Sequence, residues 1–143
     1  MPTTPAFVDT NVLLYAASTN PGEAAKRDAA RKLLSTNQIC FSVQVAQEFF
    51  VNATRKLTPP LSRTDALNFL SQVRPATVAS LSYELFEEAT ALSERFQISY
   101  WDAAVVATAK HLHCTTLYSE DLSDGQTFEG VTVSNPFRSL AKI

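Results

Sequence analysis

The feature that most constrains this chain is an alternation between short apolar runs of strand length and longer stretches of helical periodicity. Ala6-Phe7-Val8 gives way at Asp9 to Asn11-Val12-Leu13-Leu14-Tyr15-Ala16, a helix opened by Asp9 or Thr10. Residues 22–36 suit a charged amphipathic helix, Ile39-Cys40-Phe41 reads as a strand, and Ser42 caps a helix over 43–56. After Pro59-Pro60 the pattern continues with a helix from Ser62 to about Arg74, a third strand at Thr77-Val78-Ala79 and a helix over 82–96. Ser99 opens a helix to about His113, and strands follow at Thr115-Thr116-Leu117-Tyr118 and Val131-Thr132-Val133. Strands separated by helices are joined by crossovers, which makes a parallel sheet with helices on both faces. The expectation is a three-layer α/β/α fold with a mostly parallel central sheet, formed by residues 1–143 as one domain. Ligands of such sheets bind outside the carboxyl ends of the strands.

Several function classes lose their support at once. With only three glycines, Gly22, Gly125 and Gly130, the chain has no Gly-rich phosphate loop and no dinucleotide fingerprint. The longest apolar run, Ala103 to Ala107, is far short of a membrane span, and Met-Pro-Thr-Thr-Pro at the start lacks the features of a secretory signal. The expected location is therefore the cytoplasm, away from any membrane. Cys40 and Cys114 allow at most one disulfide, and each lies in apolar surroundings where a free thiol packs as a small hydrophobe. A formal net charge of -2 argues against non-specific coating of nucleic acid, but not against a nuclease whose metal ion meets the phosphate.

Chemistry concentrates in four acids. Asp9 ends the first strand and Asp121 follows the strand at 115–118, so parallel strands deliver both to one edge of the sheet. Glu48, in the helix after the second strand, and Asp102, at the start of the helix after Ser99, can reach the same rim. Each also has an ordinary explanation. Asp9 suits a helix cap, and Asp102 stands where a capping box places its acid. Glu48 belongs to a polar stripe with Gln44, Asn52 and Arg55, and Asp121 lies in a turn-forming segment. The conjunction changes the reading. Carboxylates gathered at one site repel unless a cation sits among them, and hard divalent ions such as Mg2+ or Mn2+ prefer oxygen ligands. Such an ion supports hydrolysis of a phosphodiester.

The blocks Phe7-Val8-Asp9-Thr10-Asn11-Val12-Leu13-Leu14-Tyr15, Gln47-Glu48, Tyr100-Trp101-Asp102-Ala103 and Tyr118-Ser119-Glu120-Asp121-Leu122 occur in the order found in PIN domains. The chain resembles that family along essentially its whole length, above all the VapC-type toxins of bacterial toxin–antitoxin pairs, and its closing Asn135-Pro136-Phe137 is similar to one branch of them. The resemblance implies a PIN-like fold and a Mg2+- or Mn2+-dependent endoribonuclease. It makes Asp9, Glu48, Asp102 and Asp121 the catalytic, metal-binding set, with Asn11 and Ser119 in support. It adds Asp124 as a further candidate, one residue off the spacing at which many relatives place an extra acid. It also implies an RNA substrate, commonly from the translation machinery, an antitoxin partner and a homodimer. Arg55 and Lys56, roughly 11 Å beyond Glu48 on the same helix, are placed to meet RNA phosphates, or simply to end a solvated helix.

Other clusters carry less. His111, His113 and Cys114 lack the further ligands a zinc site needs, and the two histidines point to different sides of a helix. Trp101 either stacks on an exposed base or belongs to the core or a dimer contact, and the core or contact is the more ordinary role. The helix bearing Lys26, Arg27, Arg31 and Lys32 also carries Glu23 and Asp28, as an exposed helix of mixed charge does. A receiver or phosphohydrolase domain also has an Asp after its first strand, but it wants a second acid beside it, where this chain has Thr10 and Asn11. The remaining alternative is a catalytically inactive PIN-like module that binds RNA or protein.

Overall fold

The computed structural model describes residues 5–73 and 77–140. The sheet has the order β3-β2-β1-β4-β6-β5, formed by β1 (Ala6–Val8), β2 (Ile39–Ser42), β3 (Thr77–Ala79), β4 (Thr116–Tyr118), β5 (Thr127–Phe128) and β6 (Val131–Ser134). Every pairing is parallel except that of β5 with β6. Among the described residues six α-helices, α1 (Thr10–Ala17), α2 (Ala24–Thr36), α3 (Val43–Arg55), α4 (Arg63–Val73), α5 (Tyr83–Phe96) and α6 (Tyr100–His111), flank it. This is the expected α/β arrangement. The expected end of α4 at Arg74 lies outside the described residues, as do Met1 to Thr4.

Local chemistry sets the element boundaries. The hydroxyl of Ser42 accepts the Val45 N–H at 3.1 Å, Ser82 that of Leu85 at 3.2 Å and Ser99 that of Asp102 at 3.1 Å. Each such cap is worth about 1 kcal/mol to its helix. The apolar run in α6 proves to be a helix buried on all sides: Ala103 to Ala109 are all buried, and the helix packs on α5 and across the sheet. With Phe7, Phe49, Phe128 and Phe137 also fully enclosed, one continuous core runs through the molecule. Cys40 and Cys114 are buried in it as free thiols.

Two details depart from expectation. α6 stops at His111, and His113 turns the chain with a φ of 60°. The antiparallel strand β5 is also new. It joins β6 through Glu129 and Gly130, whose φ values of 48° and 93° suit the tight hairpin turn that matches strand twist. Glu129 is held in that conformation by ion pairs to Arg95 and, at 2.8 Å, to Lys110.

The topology positions the site. From β1 the chain steps outward through β2 to β3, then returns to place β4 on the other side of β1. The strand order therefore reverses between β1 and β4, where open α/β sheets form their crevice. Val8 is in register with Tyr118, and the Asp9 N–H donates to the Tyr118 carbonyl at 3.0 Å. Asp9 and Ser119 thus leave the sheet side by side.

Candidate functional site

Asp9 is the buried centre of this edge, only 7% exposed. It does cap α1, with its Oδ1 accepting the Thr10 N–H at 2.8 Å, and the capping role leaves its other oxygen free for different work. That oxygen, Oδ2, accepts the hydroxyl of Ser119 at 2.9 Å. Ser119 has no exposed surface, and its Oγ also accepts the Asp121 N–H at 3.1 Å. One buried hydroxyl therefore fixes the spacing between the first strand and the loop that carries the second acid.

Asn11 completes that loop's attachment. Its Nδ2 donates to Asp121 Oδ2 at 3.1 Å, and its Oδ1 accepts the Glu120 N–H at 3.3 Å. Glu48 is aimed from the other side. The Thr10 hydroxyl donates to its Oε2 at 2.9 Å, and Gln44, one turn earlier on α3, donates to its Oε1 at 3.0 Å. Asp102 lies in the first turn of α6, where its N–H is taken by Ser99 while its carboxylate accepts no hydrogen bond among the described residues. Only the Ser99 half of a capping box forms, so the Asp102 carboxylate is not committed to the helix end.

Asp9, Glu48, Asp102 and Asp121 all line one pocket of about 170 Å³, together with Thr10, Asn11, Gln44, Asn52 and Trp101. Asp9 carries the cost of its burial. Burial, with the Asp121 and Glu48 charges adding to it, pushes its carboxyl up to about 6 from 3.8, against the opposing pull of Thr10 and Ser119. Every hydrogen bond named here to the four carboxylates comes from a neutral donor. Four of the basic side chains are committed elsewhere: Lys26 to Glu120, Arg138 to Asp124, and Arg95 and Lys110 to Glu129. Among the described residues, none of the four pocket acids has an ion-pair partner.

Oxygen donors of uncompensated charge fit a hard divalent cation. They stand apart, Asp9, Glu48 and Asp121 on neutral donors and Asp102 on none; among the described residues no three His, Cys, Asp or Glu side chains form a ready-made metal-binding group. A larger cavity, of about 450 Å³, lies away from this chemistry, around Ala16, Leu34, Ile39 and Phe69, and no acid among the described residues lines it.

The other residues singled out in the sequence fall differently. Lys56 lines an adjoining pocket of about 310 Å³, which shares Asn11, Leu14 and Asn52 with the acidic one. Arg55 is exposed and lines neither. Asp124 stays out of the acidic pocket, because its carboxylate accepts the Asn135 N–H at 2.8 Å and pairs with Arg138 at 2.6 Å. Those partners hold it below the usual carboxylate range. Trp101 is no core residue: it is 64% exposed and lines the acidic pocket.

Three contributors were not anticipated. The Thr10 and Gln44 side chains hold Glu48. Glu120 turns away from the pocket, accepting the Tyr15 hydroxyl at 2.9 Å and pairing with Lys26 at 2.7 Å. The Lys26 ammonium also lies 4.7 Å from the centre of the Tyr15 ring. The Asp-Thr-Asn order at 9–11 held the signal for Thr10. For Gln44 it was the one-turn spacing to Glu48, which the solvated-stripe reading absorbed.

Comparison with known proteins gives one family. The sequence profile described as the PIN domain matches residues 6–123. No curated protein is similar to the chain in sequence alone. Among solved structures, a toxin–antitoxin complex from Klebsiella pneumoniae superposes with a TM-score of 0.68 at 20% identity, covering 92% of this chain and 97% of that one. The sarcin-ricin loop cleaving toxin VapC20 of Mycobacterium tuberculosis gives 0.64 at 18% identity over 81% and 89% of the two chains. VapBC2 from Rickettsia felis, bound to a DNA fragment from its promoter, gives 0.63 at 14% identity over 92% and 98%. At these identities the likeness is one of fold.

Proposed function

This chain belongs to the PIN domain family, and on that premise we propose that it is a divalent-metal-dependent endoribonuclease, the toxin of a toxin–antitoxin pair. The observation that carries the proposal is the convergence of Asp9, Glu48, Asp102 and Asp121 on one pocket with no ion-pair partner for any of them among the described residues. These four side chains would hold Mg2+ or Mn2+. Bound there, such an ion would supply the positive charge that admits a phosphodiester to an otherwise anionic pocket and would lower the pKa of water, so that its deprotonated form could attack phosphorus.

The chain's own residues prepare that site. Thr10 and Ser119 orient the two oxygens of Asp9, and Thr10 with Gln44 orients Glu48. Asn11 and Ser119 tie down the loop that presents Asp121. Because these are neutral donors, they aim the carboxylates without cancelling the charge a cation needs. We assign flanking phosphates to Lys56, which lines the adjoining pocket, and to Arg55 beside it in sequence, which is exposed and lines neither pocket.

The substrate we propose is RNA, with structured RNA of the translation machinery as the first candidate, since one neighbour of this fold cleaves the sarcin-ricin loop. An antitoxin partner follows from the neighbours that are toxin–antitoxin assemblies. We read the protein as a cytoplasmic homodimer, and no described helix is long and apolar enough to cross a membrane.

The test is cleavage of total cellular RNA by the purified protein with Mg2+, with Mn2+ and with chelator, beside Asp102→Asn. Discrete fragments that need the metal and vanish in the variant are expected. Full cleavage in chelator, or by the variant at the wild-type rate, refutes the metal site. No cleavage under any condition shifts the reading to an inactive RNA- or protein-binding module.

A further inference from the structure

Trp101 is the only tryptophan of the chain, and it stands in an unusual place. Large aromatic side chains are normally well covered, because burying them is among the strongest contributions to a fold. This one is 64% exposed while lining the pocket of the four carboxylates. It is held in position rather than left loose. Its ring meets that of Tyr100 edge-on, with centroids 5.1 Å apart and planes at 79°. Tyr100 in turn packs against Phe86 at 5.8 Å, and Phe86 against Tyr83 at 5.5 Å. The backbone beneath is equally fixed, since Trp101 sits in the capped first turn of a helix in which Ala103 to Ala109 are all buried. The result is a braced indole at the rim of the site, one residue before Asp102.

We infer that Trp101 is the stacking platform for an unpaired nucleobase next to the phosphodiester that is cut. This rests on reading the pocket as an RNA-cleaving site. A phosphodiester seated among the acids carries its flanking bases to the rim, and an exposed indole face there takes an unstacked base whatever its sequence. The contact is confined to Trp101. Farther along the aromatic strip the exposed Glu84 and Glu87 of α5 repel a phosphate backbone, so Phe86 and Tyr83 serve as bracing rather than as a track. The platform selects for RNA that is single-stranded at the cut, as in a loop or bulge, because a paired base has no free face to offer.

Because there is one tryptophan, the indole emission reports on the surroundings of Trp101 alone. In the wild-type protein with Ca2+ in place of Mg2+, so that all four carboxylates are kept, short single-stranded oligoribonucleotides carrying a terminal dye are titrated while indole fluorescence and dye anisotropy are both followed. Quenching that tracks binding is expected, lost when one particular nucleotide of the oligomer is replaced by an abasic ribose. Trp101→Ala should weaken binding roughly 5- to 100-fold, with Trp101→Phe recovering most of it. The exposure of the side chain keeps either substitution from disturbing the core. Binding with unchanged emission, or at equal affinity in Trp101→Ala, overturns the inference and leaves the nuclease reading standing. Absence of any anisotropy change overturns both. Emission that shifts with protein concentration alone, in step with sedimentation, overturns the inference in favour of a second copy covering the ring.

Discussion

Replacing Asp9 with Asn should make the metal-free protein more stable while destroying its activity. The carboxyl group is buried and titrates at about 6 instead of 3.8, chiefly because burial disfavours its charged form. A gap of that size corresponds to ~3 kcal/mol withheld from the folded state once the group is ionised. The folded carboxyl holds its proton more tightly than the unfolded one. Its penalty is therefore absent below pH 3.8, grows as pH rises, and is complete above about 6. An Asn side chain cannot ionise, yet its carbonyl can still accept the Thr10 N–H, so the cap survives. Allowing for a poorer contact with Ser119, the gain at pH 7.5 is ~2 kcal/mol, or about 4–8 °C in Tm for a chain of this size.

Thermal unfolding in chelator at pH 7.5 and at pH 4, for both proteins, checks this directly. The Asp9→Asn protein should melt higher at pH 7.5, and the difference should shrink toward zero at pH 4. Saturating Mg2+ should then raise the wild type and not the variant, since a ligand at 100 times its Kd adds about 2.7 kcal/mol. Equal melting temperatures at pH 7.5, or a difference that ignores pH, would refute the claim that Asp9 is held charged against its surroundings. A variant that is both more stable and inactive separates loss of chemistry from loss of fold.

Ser119→Ala removes the hydroxyl that joins Asp9 to the Asp121 backbone, so RNA cleavage should fall about 10- to 100-fold in a fixed-metal assay, and an unchanged rate would deny Ser119 any role in aiming the acids. Glu120→Gln breaks the partly buried pair with Lys26, in which Glu120 is the main reason the ammonium pKa is raised; urea denaturation should show a loss of ~1 kcal/mol that largely disappears in 1 M salt. Cys114, its thiol pushed up to about 12 chiefly by burial, and its buried neighbour Cys40 should resist alkylation at pH 8 until the protein unfolds, which thiol titration with and without denaturant measures.

The sheet was legible because its two periodicities are strong. Three-residue apolar runs such as Ala6–Val8 stand between capped helices, and Ser42, Ser62 and Ser99 mark helix starts that the hydroxyl hydrogen bonds bear out. What the pattern did not reveal was β5, since two residues, one of them exposed, carry no period. The overlong reading of the helix at 99–113 has a similar cause. His111, Leu112 and His113 show no composition that forbids a helix, and the turn at His113 is set by Cys114 being drawn into the core.

That Asp9 and Asp121 leave the sheet at one edge followed from taking their strands as parallel, and the adjacency of β1 and β4 brings them side by side, whereas for Glu48 and Asp102 chain order said only that they can reach that rim. The fate of their neighbours did not follow, since it turns on which way a single side chain leaves a bend. Glu120 and Asp121 are consecutive, yet one reaches Lys26 and Tyr15 while the other faces Asn11. Asp124 was open to the pocket on spacing alone and was captured by Asn135 and Arg138, residues distant enough in sequence to be invisible to a local reading. Composition did not give the distribution of charge either. A net charge of -2 conceals that Glu120, Asp124 and Glu129 each have a cation, whereas the acids of the pocket have only neutral donors. On the proposed reading that unequal allocation is what would leave the pocket open to a divalent ion, because a Lys or Arg among those donors would satisfy the same carboxylates and compete for the place a metal would take.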